Sequence, residues 1–533
     1  MHLSAASPGS PTERELSLRW ILFFVAPLAI LYCGFITVLT YLRYVSFLSW
    51  TYEDNALFNN LISNTAQGRL LFTSIWNNAP YFDHVQPILP LFALIYRIYP
   101  HFVTMHFLFV TCTAVGGIFM FLIARHWIRD LTTALLVVCM YFSYHPLIQI
   151  HLSDGDPILF CMPFLLGMFY FYITDRLKLS MLFFLLAILC HEMVTMGTFM
   201  MAVMFTFPHR HTKKFRFLLA VMGISVFWFI CAASINRIFG EQAFYYSLAL
   251  STQQEHSHGI WNILGSLARV PILGHLQFYL VVFLPFAFTV FLSRWILPAL
   301  PMIAATLIQR DPMSNAHLYI LMPVFPFFFI ALADLCRICE TRLRTSKLSA
   351  RGAARVLRLS MAAMIAWNLV LMLEASAFAP PDSEKDIHLT PGVQSVDTFL
   401  DARLYTMNDF DRTAWKAIEL IPEDASVASN IFMLQALSER QSVYPFRRFE
   451  VFTGEYGVTS IDYLLLFEKP DDIPDDVWPW SWQDDRYLAR KKGRLKRIVR
   501  RWHYQRIFQE RGFSVWKRRG PDRPGRIVWS RGE

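Results

Sequence analysis

Glu53 and Asp54 lie a few residues past the first long apolar block, in the stretch "SFLSWTYEDNALFNN" (46–60). Paired acids at the mouth of a membrane suit general-base work, in which a carboxylate takes the proton from an acceptor hydroxyl as it attacks. Taken alone, an acidic surface loop is the plainer reading. Other polar residues gather in segments expected on the same side: Arg43, Arg69, His84, Asp154, Asp156, His191, Glu192, Arg310 and His317. Each by itself is more ordinary as a satisfied loop residue. Together, acids, histidines and arginines beside a bilayer leaflet could hold a phosphate headgroup, because arginine grips phosphate oxygens with two N–H groups and offsets leaving-group charge.

The elements that must position them are membrane helices. Of the 533 residues 55% are apolar and 17% charged, against about 25% charged in a soluble domain. The apolar residues fall in blocks long enough for a hydrocarbon core of about 30 Å. About eleven spans are expected, near 19–42, 103–124, 131–147, 157–174, 177–190, 193–207, 215–238, 273–293, 295–309, 317–338 and 357–379. The polar stretch 1–18 and the length of the first block argue against a cleavable signal and for an anchor. Basic residues collect beside the spans at Arg14, Arg19, Arg125, Arg129, Arg176 and Lys178, in "PHRHTKKFR" (208–216), and from Arg337 to Arg358. The positive-inside rule puts these in the cytoplasm with the N-terminus. The net charge of +9 is thus explained by orientation and lipid headgroups, and nucleic acid is not an expected partner.

One consequence is specific. Residues 177–207 run between two inside loops over too short a length for one helix with a return, so they must form a tight hairpin with Cys190-His191-Glu192 at its outer tip. A carboxylate there is costly without a partner or a role, so both polar residues are expected in a protein-lined cavity. The first loop (43–102), the loop 145–157, the loop 239–272 and everything from about 380 then lie outside. Pro87 and Pro90 in "HVQPILPLFALIYRIYP" (84–100) argue against a crossing and for a juxtamembrane helix on the outer surface.

The chain divides into a membrane module, residues 1–380, and a small α/β domain, residues 381–533, joined by a linker at 379–392. In the second part "RTAWKAIELIP" reads as a helix, "ASVASNIFML" as a strand with its turn, and "QSVYPF", "DYLLLF" and "GFSVWKRR" as strands. The basic run 486–506 reads as a helix with a solvated face, or one that meets anionic headgroups or glycan. All eight cysteines lie in or beside apolar blocks, and Cys336 and Cys339 have no second pair to complete a zinc site.

This layout resembles the GT-C superfamily of polyprenol-phosphate-dependent membrane glycosyltransferases, and within it a prokaryotic membrane-protein family. The resemblance rests on Asp54, Phe58, Asn59-Asn60 and Gly68, then His84 with Pro87, then Asp154-Gly155-Asp156-Pro157, then Glu192, then His317. The tail stretches "IPEDASVASN" and "GFSVWKRR" also look similar. Three positions depart from the family pattern. Asn-Asn stands for an Asp-Gln type pair, Asp156 for a His, and His191 for a Lys.

The resemblance implies a polytopic α-helical membrane protein that moves a sugar from a polyprenyl-phosphate donor to a glycan, lipid or protein acceptor at the extracytoplasmic face of the cell membrane. Asp54 would be the base, with Glu53 beside it. Arg43, Arg69 or His84 would stabilise the departing phosphate, and His191 and Glu192 would shape the site. A monophosphate leaving group needs no metal, so none is expected, although a divalent ion is compatible. Two rival readings share the topology: a transporter or flippase of a lipid-linked or polar substrate, and a non-catalytic subunit of an envelope polysaccharide complex. No paired repeat halves of the kind transporters carry are evident.

Overall fold

The computed structural model describes residues 18–47, 53–153, 156–239, 272–308, 319–345, 350–373, 402–454, 456–467 and 492–520. The linker 379–392, most of the loop 239–272 and the start of the basic run fall outside the described residues. Six described helices are long and apolar enough to cross a membrane: Leu18–Val45 (α1), Phe102–Trp127, Leu131–Leu152, Lys213–Phe239, Leu321–Thr345 and Arg351–Leu371. Shorter apolar helices run over Pro157–Ile173, Leu177–Ile188 and Arg294–Ala304. A further helix covers Val194–Thr206. The first long helix and the last expose most of their apolar side chains, as lipid-facing helices do, whereas Phe102–Trp127 and Leu321–Thr345 are largely buried at the centre of the bundle.

Local chemistry sets these boundaries. His101 caps the second span by accepting from the Val103 amide at 3.1 Å. Asp130 caps the third by accepting from Thr133 N at 2.9 Å, and is itself held by Arg358 at the start of the last span. Gly116 and Gly117 let the second and third spans approach, since a Cβ on either would collide with Tyr141 or Phe142. The pair of spans expected at 273–293 and 295–309 is instead a helix, Ile272–Phe283, then tight 3₁₀ turns that continue to Ala299, then a short helix, Leu300–Ile308. Pro285 and Pro298 interrupt the ladder there, and Ala287 and Phe288 take left-handed backbone.

The first loop contains a largely buried helix that the sequence pattern does not announce, Glu53–Ala66 (α2). The juxtamembrane helix expected at 84–100 is shorter, Leu89–Tyr96 (α3). Its outer face leaves Leu91, Leu94 and Ile95 exposed, as fits a helix lying against lipid.

The C-terminal part is α/β. Its five strands are β1 Val427–Ser429, β2 Val443–Pro445, β3 Tyr463–Phe467, β4 Tyr504–Glu510 and β5 Phe513–Arg518. They lie in the order β2-β1-β3-β5-β4, with β1 parallel to β2 and β3, and the other pairs antiparallel. The helix Asp409–Glu419 opens on a capping box between Asn408 and Asp411. The helix expected across 486–506 stops at Arg501, and the remainder becomes β4. Tyr504, Ile507 and Phe508 are the β-forming residues that win there.

This domain is docked on the first loop by buried polar contacts. Asn59 Nδ2 donates to Ser438 Oγ at 2.8 Å. Asn60 Nδ2 donates to the carbonyls of Ser438 and Arg440 at 3.1 and 2.8 Å, while its Oδ1 accepts from Ser74 N and Thr73 Oγ1. Trp415 Nε1 donates to the Val45 carbonyl at the end of α1 at 2.8 Å. Asn60 therefore satisfies backbone groups on both sides of the junction, and a truncated side chain would orphan them. We expect Asn60→Ala to cost about 3 kcal/mol. The thermal midpoint should fall, and protease should release the 402–520 region earlier than in the parent.

Glu439 makes the same junction pH-sensitive. Burial raises its carboxyl to about 7, against the opposing pull of the Phe102 amide and Arg440. Its bound-state value lies above the free one, so its docking contribution is present below the ordinary Glu range and fades as pH rises through about 7. Hydrogen-exchange protection factors at 438–441 should therefore fall between about pH 5 and about pH 8. Glu439→Gln should flatten that slope.

Candidate functional site

Loop 81–88 is pinned from two sides. Asn236, near the end of helix Lys213–Phe239, donates to the Phe82 and Asp83 carbonyls at 3.1 and 2.6 Å. From the other side, Ile88 N donates to the Leu189 carbonyl at 3.1 Å, at the tip of the hairpin formed by Leu177–Ile188 and Val194–Thr206. The two hairpin helices hold 12 and 13 residues, or about 18–20 Å at 1.5 Å per residue. That is shorter than a hydrocarbon core of about 30 Å, so the tip must be enclosed by protein. His191 is fully buried and Glu192 nearly so.

Glu192 is the tie between loop and hairpin. Its Oε1 meets His84 Nδ1 at 2.9 Å, and its Oε2 accepts from the Val85 amide at 3.1 Å. His191 Nδ1 stands 3.4 Å from Oε2, and the His84 and His191 ring centroids are 4.5 Å apart. Burial pulls the His84 imidazole down, but the Glu192 carboxylate and its hydrogen bond, with Asp156 and Asp83, overcome this and hold it at about 9. His84 is thus a cation throughout the neutral range.

Asp156 is buried at the start of the 3₁₀ turn Pro157–Phe160, where its Oδ1 accepts from Ile158 N at 2.7 Å. Burial raises it to about 7, against His84 and the Ile158 amide, and with added repulsion from Asp54 and Glu192. Asp54, in the first turn of α2, is partly exposed. Tyr81 lies among these acids: burial and the fields of Asp83, Asp54, Asp156 and Glu192 all push its hydroxyl well above the usual range. Residues from four separated segments, Asp54, Tyr81 to His84, Asp156 and His191-Glu192, therefore share one electrostatic site.

The other expected residues go elsewhere. Arg43 interacts with Tyr405, and Arg69 lies over the Phe72 ring, 5.5 Å from its centroid, and acts on Tyr444. Both thus serve the junction with the C-terminal domain. Asn59 and Asn60 belong to that junction too. The Glu53 side chain, Asp154, Arg310 and His317 lie outside the described residues. Tyr81 and Asp83 were missed by the sequence reading. Their signal was their position just ahead of His84, inside a loop that carries too many polar groups to face lipid.

Ligand atoms of His84, His191 and Glu192 all lie within 4.8 Å of one another, close enough to hold a metal ion. The arrangement can otherwise do two things chemically: present a carboxylate to a hydroxyl, and keep one acid protonated near neutrality beside another that is charged. Removing the His84 cation should strand Glu192 as an uncompensated buried charge. We expect His84→Leu to destabilise the loop–hairpin junction by about 3 kcal/mol, seen as lost hydrogen-exchange protection at 85–88 and 189–193.

Comparison with known proteins bears on the fold. Residues 43–504 match the model of a family described as a predicted membrane protein, DUF2079, and the chain belongs to that family. No curated protein matches the chain. Among solved structures, ArnT from Cupriavidus metallidurans bound to undecaprenyl phosphate aligns with a TM-score of 0.50 at 11% identity, covering 92% of this chain and 98% of that one. The apo state of the same protein aligns at 0.46 and 12% identity, over 94% and 98%. The fold is thus GT-C-like, a multi-pass helical membrane module with a C-terminal sheet.

Proposed function

We propose that this DUF2079 protein is a membrane glycosyltransferase that moves a sugar from a polyprenyl-phosphate carrier to an acceptor hydroxyl at the extracytoplasmic face. The observation that carries the reading is the meeting of Asp54 with His84, Asp156 and Glu192 around Tyr81, from segments about 140 residues apart at the extremes. Support for the carrier comes from the undecaprenyl phosphate in the ArnT structure of the same fold. Residues 1–380 form the transfer module, and 381–533 an outer domain.

In this reading the lipid tail lies between spans and the headgroup enters the cavity near α3. The acceptor oxygen attacks the anomeric carbon from the side opposite the phosphate, the C–O bond to phosphate breaks, and the product is inverted. The hydroxyl proton passes to Asp54, which sits where α2 begins and is less buried than its acid neighbours. The leaving group departs as polyprenyl phosphate. His84, cationic at neutral pH, stands near the place where that charge develops. Basic loops beside the spans favour a cytoplasmic N-terminus, with the site and C-terminal domain across the cell membrane.

General-base residues contribute about 10²- to 10⁴-fold. Asp54→Asn should therefore lower transfer from a polyprenyl-phosphate sugar by about 100-fold or more in membranes, with the amount of folded chain unchanged. Undiminished transfer would remove Asp54 from the role. A variant without effect that co-purifies with a stoichiometric partner would favour the subunit reading.

A further inference from the structure

The two faces of the C-terminal sheet are covered by different layers, and alternation along β3 sorts them. Tyr463, Leu465 and Phe467 pack with Phe513 and with the helices over 409–419 and 431–437. That layer docks on the membrane module, through Trp415 on Val45, Phe432 on Phe47 and Ser438 on Asn59. Leu464 and Leu466 point the other way and pack with Ile498 and Tyr504, beneath the helix Lys492–Arg501. The sheet therefore separates this helix from the docked layer.

The far layer is strongly basic. Residues 492–520 hold 11 Lys and Arg against one acid, Glu510. Leu495, Ile498 and Val499 pack inward on the sheet, which turns Lys496, Arg497, Arg500 and Arg501 outward, and all four are exposed. Beside them on the same sheet face, Arg506 lies over the Trp516 ring at 5.4 Å and Arg518 over the Trp502 ring at 5.3 Å. These six cations form no ion pair among the described residues. By contrast Arg494 holds Glu450, Lys416 holds Glu510 and Arg511 holds Asp409. Like charges gathered without counter-charges repel one another, so this plateau favours an anionic partner.

We propose that this far face of the C-terminal domain binds an anionic glycan. Its acid groups pair with Lys496, Arg497, Arg500 and Arg501, and its sugar rings lie along the edge formed by Trp502 and Trp516. Guanidinium groups take carboxylate or phosphate oxygens two at a time, and a partly exposed indole beside them offers a sugar ring an apolar surface with a polar rim. The chain's own membrane does not fit as the partner, because the sheet and the docked helices stand between it and this plateau. The choice of glycan over nucleic acid, and the glycan's role as the acceptor chain, rest on the glycosyl-transfer reading; the anion-binding surface does not.

The test uses the full chain in phosphatidylcholine discs, with fluorescein-labelled polygalacturonate as the anionic probe and labelled dextran as the neutral one. Anisotropy titrations compare the parent with two double variants. Arg500→Gln/Arg501→Gln strips the plateau, and Lys416→Gln/Arg511→Gln removes the same charge at paired positions. The parent should bind polygalacturonate and not dextran, and more weakly as salt rises. Stripping the plateau should weaken binding by about tenfold or more, and the paired-position variant by less than about threefold. Hydrogen exchange on the parent alone should show protection by polygalacturonate across 494–507. Equal loss in both double variants, equal binding of dextran, or no protection across 494–507 overturns the proposal. Capture of phosphatidylglycerol vesicles without glycan binding also overturns it, and assigns the surface to lipid. Glycan binding by a chain that transfers no polyprenyl-phosphate sugar leaves the surface standing and removes the enzyme reading. Transfer by a chain that binds no glycan does the reverse.

Discussion

A carboxylate buried at the tip of a membrane hairpin has to be compensated by whatever packs on it. Desolvating an unpaired charge costs several kcal/mol, more than a single junction of this size can absorb. Glu192 therefore dictates what the first loop does. It draws His84 to within 2.9 Å and takes the Val85 amide on its other oxygen. With both oxygens used, loop 81–88 has one position against the hairpin, and Asn236 fixes it from a third helix. Tyr81 and Asp83 are brought beside Asp54, Asp156 and Glu192 by that placement. The rest of the site is a consequence of how one acid is neutralised.

The C-terminal domain answers a different constraint. Helix α2 starts with Asp54 and runs over the membrane module, so one face must be covered by something that can satisfy Asn59, Asn60 and Ser63. The turn at Ser438 to Arg440 does this with backbone carbonyls and a hydroxyl. The same helix thus carries the candidate base at its start and the domain contacts one and two turns later. A shift at the junction is transmitted to Asp54 through a continuous helix of 14 residues. The C-terminal domain is thus linked to Asp54 without any of its side chains having to touch that residue.

Period and charge made much of this legible in advance. Most of the spans, the tight hairpin with His191 and Glu192 at its tip, the α/β character of the tail and four of its strands follow from apolar length, basic loops and β-branched runs. Helix α2 was missed because the asparagines and serine that meet the C-terminal domain break up its apolar pattern. The helix expected through Arg506 failed because strand pairing with Phe513–Arg518 outweighed a basic periodicity that extends only to Arg501. Charge and proximity in sequence do not reveal that Arg43 and Arg69 also meet Tyr405 and Tyr444, more than 350 residues away. Asn59 and Asn60 stand at positions where this chain needs amide donors for a docked domain.

What remains is the division of labour among the acids. Asp156 and Glu192 feel the same His84, yet Glu192 has His84 and an amide on its two oxygens, whereas Asp156 has one amide, from Ile158, and a longer-range attraction. Burial therefore wins at Asp156 and lifts it to about 7, while direct pairing keeps Glu192 charged. A site with one acid poised to share a proton, one locked as an anion and a third, Asp54, nearer to solvent is asymmetric in a way that surface acids rarely are. That asymmetry is the physical reason to look for chemistry here rather than for ion pairs alone.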